Sequence, residues 1–251
     1  MNDSLYFQLI KPDKSIEDFV VSFWCLKNVS DSKKDIVVLP DGSIDLIFTK
    51  SETEHFQPTL LGIGTLADYA QLTGNTKIFA ISFKLLAAEY VFQNPIAQLL
   101  NHAENLSANF WDFNETDFSN LELFSKKASV KIQSLLPESI DERKLKLCSL
   151  IYESNGEISV KELAEKSYWS RQQINRYFNQ QFGLSVKAYC NILRFRASFQ
   201  HIKEGKLFPE NNFADQSHFI KEVKKLSGVS PKELSKNSNE RFIQFTTLNS
   251  K

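Results

Sequence analysis

The stretch Ser170 to Phe182 constrains this chain more than any other. Its apolar residues Ile174, Phe178 and Phe182 recur at i, i+4 and i+8, with Tyr177 beside them. That spacing predicts one helix with a single buried stripe. Ser170, followed three residues on by Gln173, completes a capping box and fixes where the helix begins. Arg171, Gln172, Asn175, Arg176 and Asn179 are left facing outward, with no acidic residue among them. Arg, Gln and Asn are the side chains that pair with guanine or adenine edges in a major groove. In an isolated helix, however, such a face is most often plain solvated surface.

The residues upstream weigh against plain surface. Glu142 to Ser154 predicts a helix with Leu145, Cys148 and Ile151 on one stripe, closed by Asn155-Gly156 as a left-handed terminator. Ser159-Val-Lys-Glu162 is a second capping box, opening a helix to about Ser167, with the small Ala164 where two helix backbones must cross closely. Tyr168, Trp169 and the cap Ser170 then lead into the polar-faced helix. A short helix, a turn of three or four residues and a second helix make the helix-turn-helix arrangement, whose second helix enters a major groove. Downstream, Gly183-Leu184 stops that helix. Ser185 caps a long one expected to run to about Glu204, burying Val186, Tyr189, Leu193, Ala197 and Ile202, with Gly205 closing it.

The 30 Lys+Arg and 30 Asp+Glu are unevenly spread. Residues 1–140 hold 11 Lys+Arg against 18 Asp+Glu, a net −7, whereas residues 141–251 hold 19 against 12, a net +7. A basic half joined to an acidic one suits a polyanion-binding module attached to something that does not bind polyanions. The length of 251 residues suits one large or two ordinary domains. Cys25, Cys148 and Cys190 are far apart in apolar contexts, which reads as reduced core cysteines of a cytosolic protein. With no basic-then-apolar start and no apolar run of membrane length, the expected location is cytoplasmic and no membrane partner is expected.

The acidic half reads as β. Phe19 to Leu26 predicts a buried strand, and Ile36 to Phe48 gives two apolar runs split by a tight turn at Pro40-Asp41-Gly42. A second hairpin is expected around Gly74-Asn75, between Leu72 and the strand Ile78 to Phe83. Leu60 to Leu66 looks like a further strand, its glycines marking a bulge or a close backbone approach. After Lys84 the pattern turns helical, over Leu85 to Phe92, Pro95 to Asn101 and Phe118 to Leu136, helices that either lie on the β unit or form a dimer seam. Pro137-Glu-Ser-Ile is the candidate linker. Trp24, Tyr69 and Phe83 are candidates to line a pocket, although strand aromatics are mostly core.

Catalytic sets are not evident. Asp41 and Asp45 are read as serving turn geometry and solvation. His55, His102, His201 and His218 stand alone, without metal-ligand spacing. No nucleophile elbow, phosphate loop or dinucleotide fingerprint is present. The expectation is therefore no enzyme, no cofactor and no metal.

Taken together, Ser159-Val-Lys-Glu-Leu-Ala, Ser170 through Phe182, Gly183-Leu-Ser-Val-Lys-Ala-Tyr189, Leu193-Arg-Phe-Arg-Ala197, Asp215-Gln-Ser-His-Phe-Ile-Lys221 and Gly228-Val-Ser-Pro-Lys-Glu-Leu234 resemble the DNA-binding domain of AraC/XylS-type transcription regulators over about residues 140 to 236. More weakly, Leu-Pro-Asp-Gly42 before a strand and Phe83 before a helix resemble the β-rich sensor domains of one such subfamily. The resemblance implies an α+β chain. It has a mainly antiparallel, cupin-like or barrel-like sensor or dimerisation domain with helices over 1–136, an all-α domain with tandem helix-turn-helix units over 137–240, and a tail over 241–251. It also implies base-reading positions at Gln172, Asn175 and Arg176, with Ser170 as cap and Arg171 and Asn179 near phosphates. The second unit would read through Gln216, Ser217, Ile220 and Lys221, flanked by His218. The implied partners are double-stranded DNA in its major groove, a small-molecule effector, RNA polymerase and a second copy of the chain.

Two departures from that pattern stand out. Only Lys206 to Ala214, with Pro209 in the middle, separate Gly205 from Asp215, too little for the family's full opening helix of the second unit. The second unit is therefore expected to be abbreviated, with Leu207, Phe208 and Phe213 plugging its core. Tyr168 stands where the family often has Gly, so a non-glycine residue must tolerate or reshape the inter-helix turn. Two alternatives remain beside an effector-controlled regulator: an N-terminal enzyme such as an alkyl-transfer DNA-repair protein using Cys25, and a ligand-free dimerisation module.

Overall fold

The computed structural model describes residues 5–51, 55–208, 213 and 215–247. Among these, the strands are β1 (Leu5–Ile10), β2 (Val20–Asn28), β3 (Lys34–Val38), β4 (Ile44–Lys50), β5 (Gln57–Leu61), β6 (Asp68–Leu72), β7 (Lys77–Phe83) and β8 (Ala103–Asn105). Six of them form one antiparallel sheet in the order β1-β2-β7-β4-β5-β8, and β3 pairs with β6 in a second, two-stranded sheet.

Both faces of the larger sheet are covered, as the nearly continuous burial along β2 and β7 requires. Phe23, Phe48 and Phe79 point to one face, where α2 (Leu121–Leu135) sets Phe124 among them with ring centroids 5.7 Å from Phe48 and 5.5 Å from Phe79. Phe113 and Phe118, from the connection ahead of α2, close the same cluster. The helix expected over Phe118 to Leu136 thus lies on the β unit. On the other face Leu26 packs with Ile36 of β3 and Leu72 of β6, the half-buried Trp24 and Ile78 beside them.

Neither expected tight turn makes a hairpin. At Pro40–Gly42 the chain leaves the two-stranded sheet and enters the larger one, and at Gly74–Asn75 it makes the same passage again, from β6 to β7. The first corner is buried beneath the C-terminal half, with Gly42 at φ 81°. A Cβ there would lie 2.9 Å from Leu193 Cδ2 and 3.3 Å from the Tyr189 ring, so only glycine fits both the backbone and the packing. The close approach expected from the glycines after β5 is found at Gly62, whose N–H donates to the His102 carbonyl at 3.0 Å.

The remaining helices are α1 (Leu86–Tyr90), α3 (Glu142–Glu153), α4 (Val160–Ser167), α5 (Arg171–Phe182), α6 (Val186–Ala197), α7 (Phe199–Lys203), α8 (Gln216–Ser227), α9 (Pro231–Lys236) and α10 (Ile243–Thr247). Pro95 to Asn101 holds only a 3₁₀ turn, Ala97–Leu99. On α3 the buried residues are Leu147, Cys148 and Ile151, with Leu145 only half-buried. The long helix expected from Ser185 to Glu204 is interrupted at Ser198. The Ser198 hydroxyl bonds back to Phe195 O at 2.6 Å and its N–H is shared between Arg194 O and Phe195 O, which tightens the turn. The residues from 241 onward, expected as a tail, are packed as far as Thr247, and Phe242 and Phe245 are each 1% exposed.

A single apolar cluster runs from Ile16 to Phe245 through both halves. Phe124→Ala should therefore lower unfolding free energy by about 3–5 kcal/mol. Urea unfolding of the full chain, followed by both near- and far-UV dichroism, measures it; a loss under about 1 kcal/mol would contradict the central place given to this ring.

Candidate nucleic-acid interface

The helix-turn-helix is formed as its caps require. Ser159 and Ser170 each accept a hydrogen bond from the third backbone N–H of their helix, at 3.2 Å in both cases. Glu162 and Gln173 return the bond to the cap N–H at 3.1 and 2.8 Å. Tyr168 caps α4 in the left-handed conformation (φ 57°, ψ 31°) with its side chain 88% exposed, so the turn keeps its shape without glycine. Trp169 goes inward instead, edge-on to Tyr177 at 5.3 Å.

Ile174, Tyr177, Phe178 and Phe182 are buried on α5. Arg171, Gln172, Arg176 and Asn179 are exposed and Asn175 is half-exposed. Among the described residues neither Arg171 nor Arg176 forms an ion pair. The Asn175 and Asn179 amides donate to the carbonyls of Arg171 and Asn175, at 3.1 and 2.8 Å, and so lie along the helix. The helix ends on Gly183 (φ 76°), and the Gln181 carbonyl accepts from Ile96 N–H at 2.8 Å, so the N-terminal half holds its C-terminus.

The second helix, α8, is as long as α5, 12 residues each, and is capped by Asp215. Gln216, Ser217, Ile220 and Lys221 are exposed and His218 is half-buried. Gln216 also donates to the Leu207 carbonyl at 3.4 Å. On the inner side Glu222 accepts from Asn191 of α6 at 3.0 Å, and Arg194 lies over the Phe213 ring at 5.6 Å. The described part of 204–213 holds no helix, whereas Pro209 and Ala214 lie outside the described residues. Of the three residues expected to plug this unit, Phe213 packs on the core, against Phe219 at 5.1 Å. Leu207 is half-buried and Phe208 is 54% exposed. Phe208 instead lies edge-on to His201 at 5.1 Å.

The pocket aromatics do not converge. Trp24 and Phe83 point to opposite faces of the larger sheet, because strand neighbours alternate, and Tyr69 is 70% exposed on β6. The Cys25 thiol is 1% exposed, and burial pushes it up to about 11, with Cys190 likewise about 11 and Cys148 about 12. Such thiols are protonated and closed to an alkylated base, which removes the support for alkyl transfer at Cys25.

Between the halves lies an open cleft of about 290 Å³ lined by Val21, Lys84, Tyr152, Leu193 and Arg196 among others, next to a smaller one of about 170 Å³ that shares Lys84 and Tyr152. The Lys84 ammonium sits over the Tyr152 ring at 5.3 Å, and neither Lys84 nor Arg196 forms an ion pair among the described residues. Nearby, Asp45 bonds to the Ser82 hydroxyl, which accepts from Trp24 Nε1 at 2.9 Å. Asp45 is thus no solvated turn residue.

A family described as a domain of unknown function, DUF6597, matches residues 8–105, from within β1 to the end of β8. Among solved structures the chain is similar to ToxT from Vibrio cholerae, at 12% identity and a TM-score of 0.42, covering 92% of this chain and 97% of that one. It is also similar to unsaturated fatty acid bound wild-type ToxT from Vibrio cholerae, at 13% identity and a TM-score of 0.41, covering 92% and 95%. A search of curated proteins returned no match. Among the described residues no helix is long and apolar enough to cross a membrane.

Burial, and then the Asp41 charge, push the Asp45 carboxyl up to about 7, against the opposing Ser82 hydrogen bond and Arg196. An unfolded chain ionises this group near pH ~4. Between about pH 4 and 7 the folded state therefore holds a proton the unfolded state has lost, and stability falls as pH rises through that window. Asp45→Asn carries no such charge. Its advantage over the wild type should widen from about pH 4 to about pH 8, reaching about 1–3 kcal/mol. Denaturant unfolding at both ends measures this; parallel pH profiles would contradict it.

Proposed function

We propose that this chain is a cytoplasmic, sequence-specific DNA-binding transcription regulator of the AraC/XylS type, controlled by a small molecule acting through its N-terminal half. The observation that carries the reading is the outward face of α5. It is capped, backed by three buried aromatic rings and free of acids, and it presents Arg171, Gln172 and Arg176 with no competing ion pair among the described residues. The net +7 of residues 141–251 supplies the attraction for phosphates. Gln172, Asn175 and Arg176 would read bases, and Ser170, Arg171 and Asn179 would lie against the backbone. On α8, Gln216, Ser217, Ile220 and Lys221 would enter a second groove segment, with His218 at its edge.

For the effector, the cleft between the halves supplies two cations, Lys84 and Arg196, above apolar walls from Val21 and Leu193. That chemistry suits a small, largely apolar molecule with a carboxylate. Decanoate should raise the melting temperature of the wild type and lose that effect in Lys84→Met. Equal shifts in both proteins would remove the cleft from the proposal.

Fluorescence anisotropy on a duplex recovered from a random-sequence selection tests the DNA reading. Binding should weaken steeply with salt, and Arg176→Ala should lose about 1–3 kcal/mol together with preference at one base position. Lys221→Ala should lose less, mainly as a shallower salt slope. Affinity indifferent to salt, or an unchanged preference in Arg176→Ala, would overturn the reading.

A further inference from the structure

The second reading unit is tied to the N-terminal half by the segment that follows α9. After α9 the chain turns at Asn237 (φ 39°), whose Oδ1 accepts from Phe242 N–H at 2.9 Å and whose Nδ2 donates to Thr246 Oγ1 at 3.1 Å. The segment so shaped, Arg241 to Thr247, lies along β3. Phe242 forms a parallel bridge with Val37, and Val37 N–H donates to the Arg241 carbonyl at 2.6 Å. The Gln244 amide then imitates one further strand residue: its Oε1 accepts from Leu39 N–H at 3.0 Å and its Nε2 donates to Leu39 O at 2.9 Å. On its other side the strap holds α7, through the tilted Phe199–Phe245 ring pair at 5.2 Å and through Lys203 Nζ, which donates to Phe245 O at 2.5 Å.

Three residues beyond Leu39, Gly42 O accepts from the Tyr189 hydroxyl of α6 at 2.9 Å, and Asp41 O accepts from Arg196 at 3.4 Å. The short run Leu39 to Gly42 therefore grips α6, which follows the first reading helix, and the strap, which follows the second. The interruption at Ser198 makes this consequential. Because α6 and α7 are not one continuous helix, no single rod joins the two units, and α8 is held to α6 by side-chain contacts such as Asn191 to Glu222.

We propose that the strap and the run Leu39–Gly42 form a clamp that sets the spacing between the two reading helices, with Phe242 and Gln244 as positioning residues for operator geometry. This rests on the DNA-binding reading above. The clamp gives the N-terminal half direct leverage over which half-site separation the protein accepts, although it touches no base.

The test uses the full chain and Gln244→Ala, which deletes both amide bonds to Leu39 and alters neither reading face. Gln244→Glu keeps only the acceptor. Wild type and variants are titrated against a selected operator and against versions with one to five base pairs inserted between its half-sites. The wild type should lose at least tenfold in affinity for inserts near half a helical turn. Gln244→Ala should show a loss several-fold smaller, with Gln244→Glu between them. Hydrogen exchange at Val37, Leu39 and the α8 amides should quicken in Gln244→Ala while the α5 amides stay as in the wild type.

A spacing profile in Gln244→Ala identical to the wild type, or a wild type indifferent to inserts, overturns the clamp. So does unchanged exchange at α8, a readout that needs no DNA. If no duplex binds the wild type at all, the regulator reading fails, and with it the operator role of the clamp.

Discussion

A buried chain of hydrogen bonds joins the two halves of the molecule. Leu85 N–H donates to the Tyr152 hydroxyl at 2.8 Å, the Tyr152 and Tyr189 hydroxyls are hydrogen-bonded at 2.9 Å, and Tyr189 donates to the Gly42 carbonyl at 2.9 Å. Only one direction satisfies every member: Tyr152 donates to Tyr189, and Tyr189 donates to Gly42. Burial raises both phenols above their ordinary range, so each stays a donor at any physiological pH. The chain fastens α3 and α6 to two separate points of the β unit, the corner before β4 and the residue before α1. Leaving one such group unpaired in this setting costs about 1–3 kcal/mol. The orientation of the helix-turn-helix on the sheet follows from it.

Around that link, smaller contacts fix α5 itself. Glu89 of α1 receives Lys144 of α3 and the Tyr177 hydroxyl of α5, the latter at 3.3 Å. Tyr90 accepts from Asp141 N–H at 3.1 Å where α3 begins. The buried stripe of α5 is aromatic, and its rings meet edge to face: Tyr177 with Phe182 at 5.6 Å, Phe178 with Phe182 at 5.2 Å. A face held from behind in this way would, in the proposed regulator, present its arginines without ordering the backbone on binding, which would reduce the entropy cost of recognition.

The C-terminal helices were legible because their signals are local. Ser159, Ser170 and Ser185 mark starts, Gly183 marks a stop, and the stripe of α5 is complete within its own sequence. The strands within Phe19 to Leu26 and Ile78 to Phe83 were legible for the same reason, but β1 and β8 were not, the strand expected over Leu60 to Leu66 ends at Leu61, and the pairing was not legible. Pro40-Asp41-Gly42 carries hairpin chemistry, and only Tyr189 and Leu193, some 150 residues on, decide that this corner passes between sheets. Asp45 reads as a solvated turn residue until Ser82 and Arg196 close around it. Gln244 offered no signal at all, since an amide that imitates a strand neighbour is indistinguishable in sequence from one in solvent. Ser198 carried a weak one: a serine in a helical run can bond back to its own turn and break the rod.

These contacts bear on how an effector could reach DNA in the proposed regulator. A ligand shifts an equilibrium only by binding two arrangements unequally. The cleft between the halves places Lys84 beside Leu85, and Leu193 and Arg196 beside Tyr189, so an occupant would touch the residues flanking both ends of the buried chain. A molecule drawing Arg196 into the cleft would compete with its bond to the Asp41 carbonyl. That carbonyl belongs to the run that also receives Gln244. Binding energy spent at Arg196 would thus act on the segment shared by α6 and the strap, changing the separation of the two reading helices and leaving each helix intact. Regulation in the proposed regulator would then be a matter of spacing, because α5 and α8 each keep their own N-cap and C-cap hydrogen bonds whatever their separation.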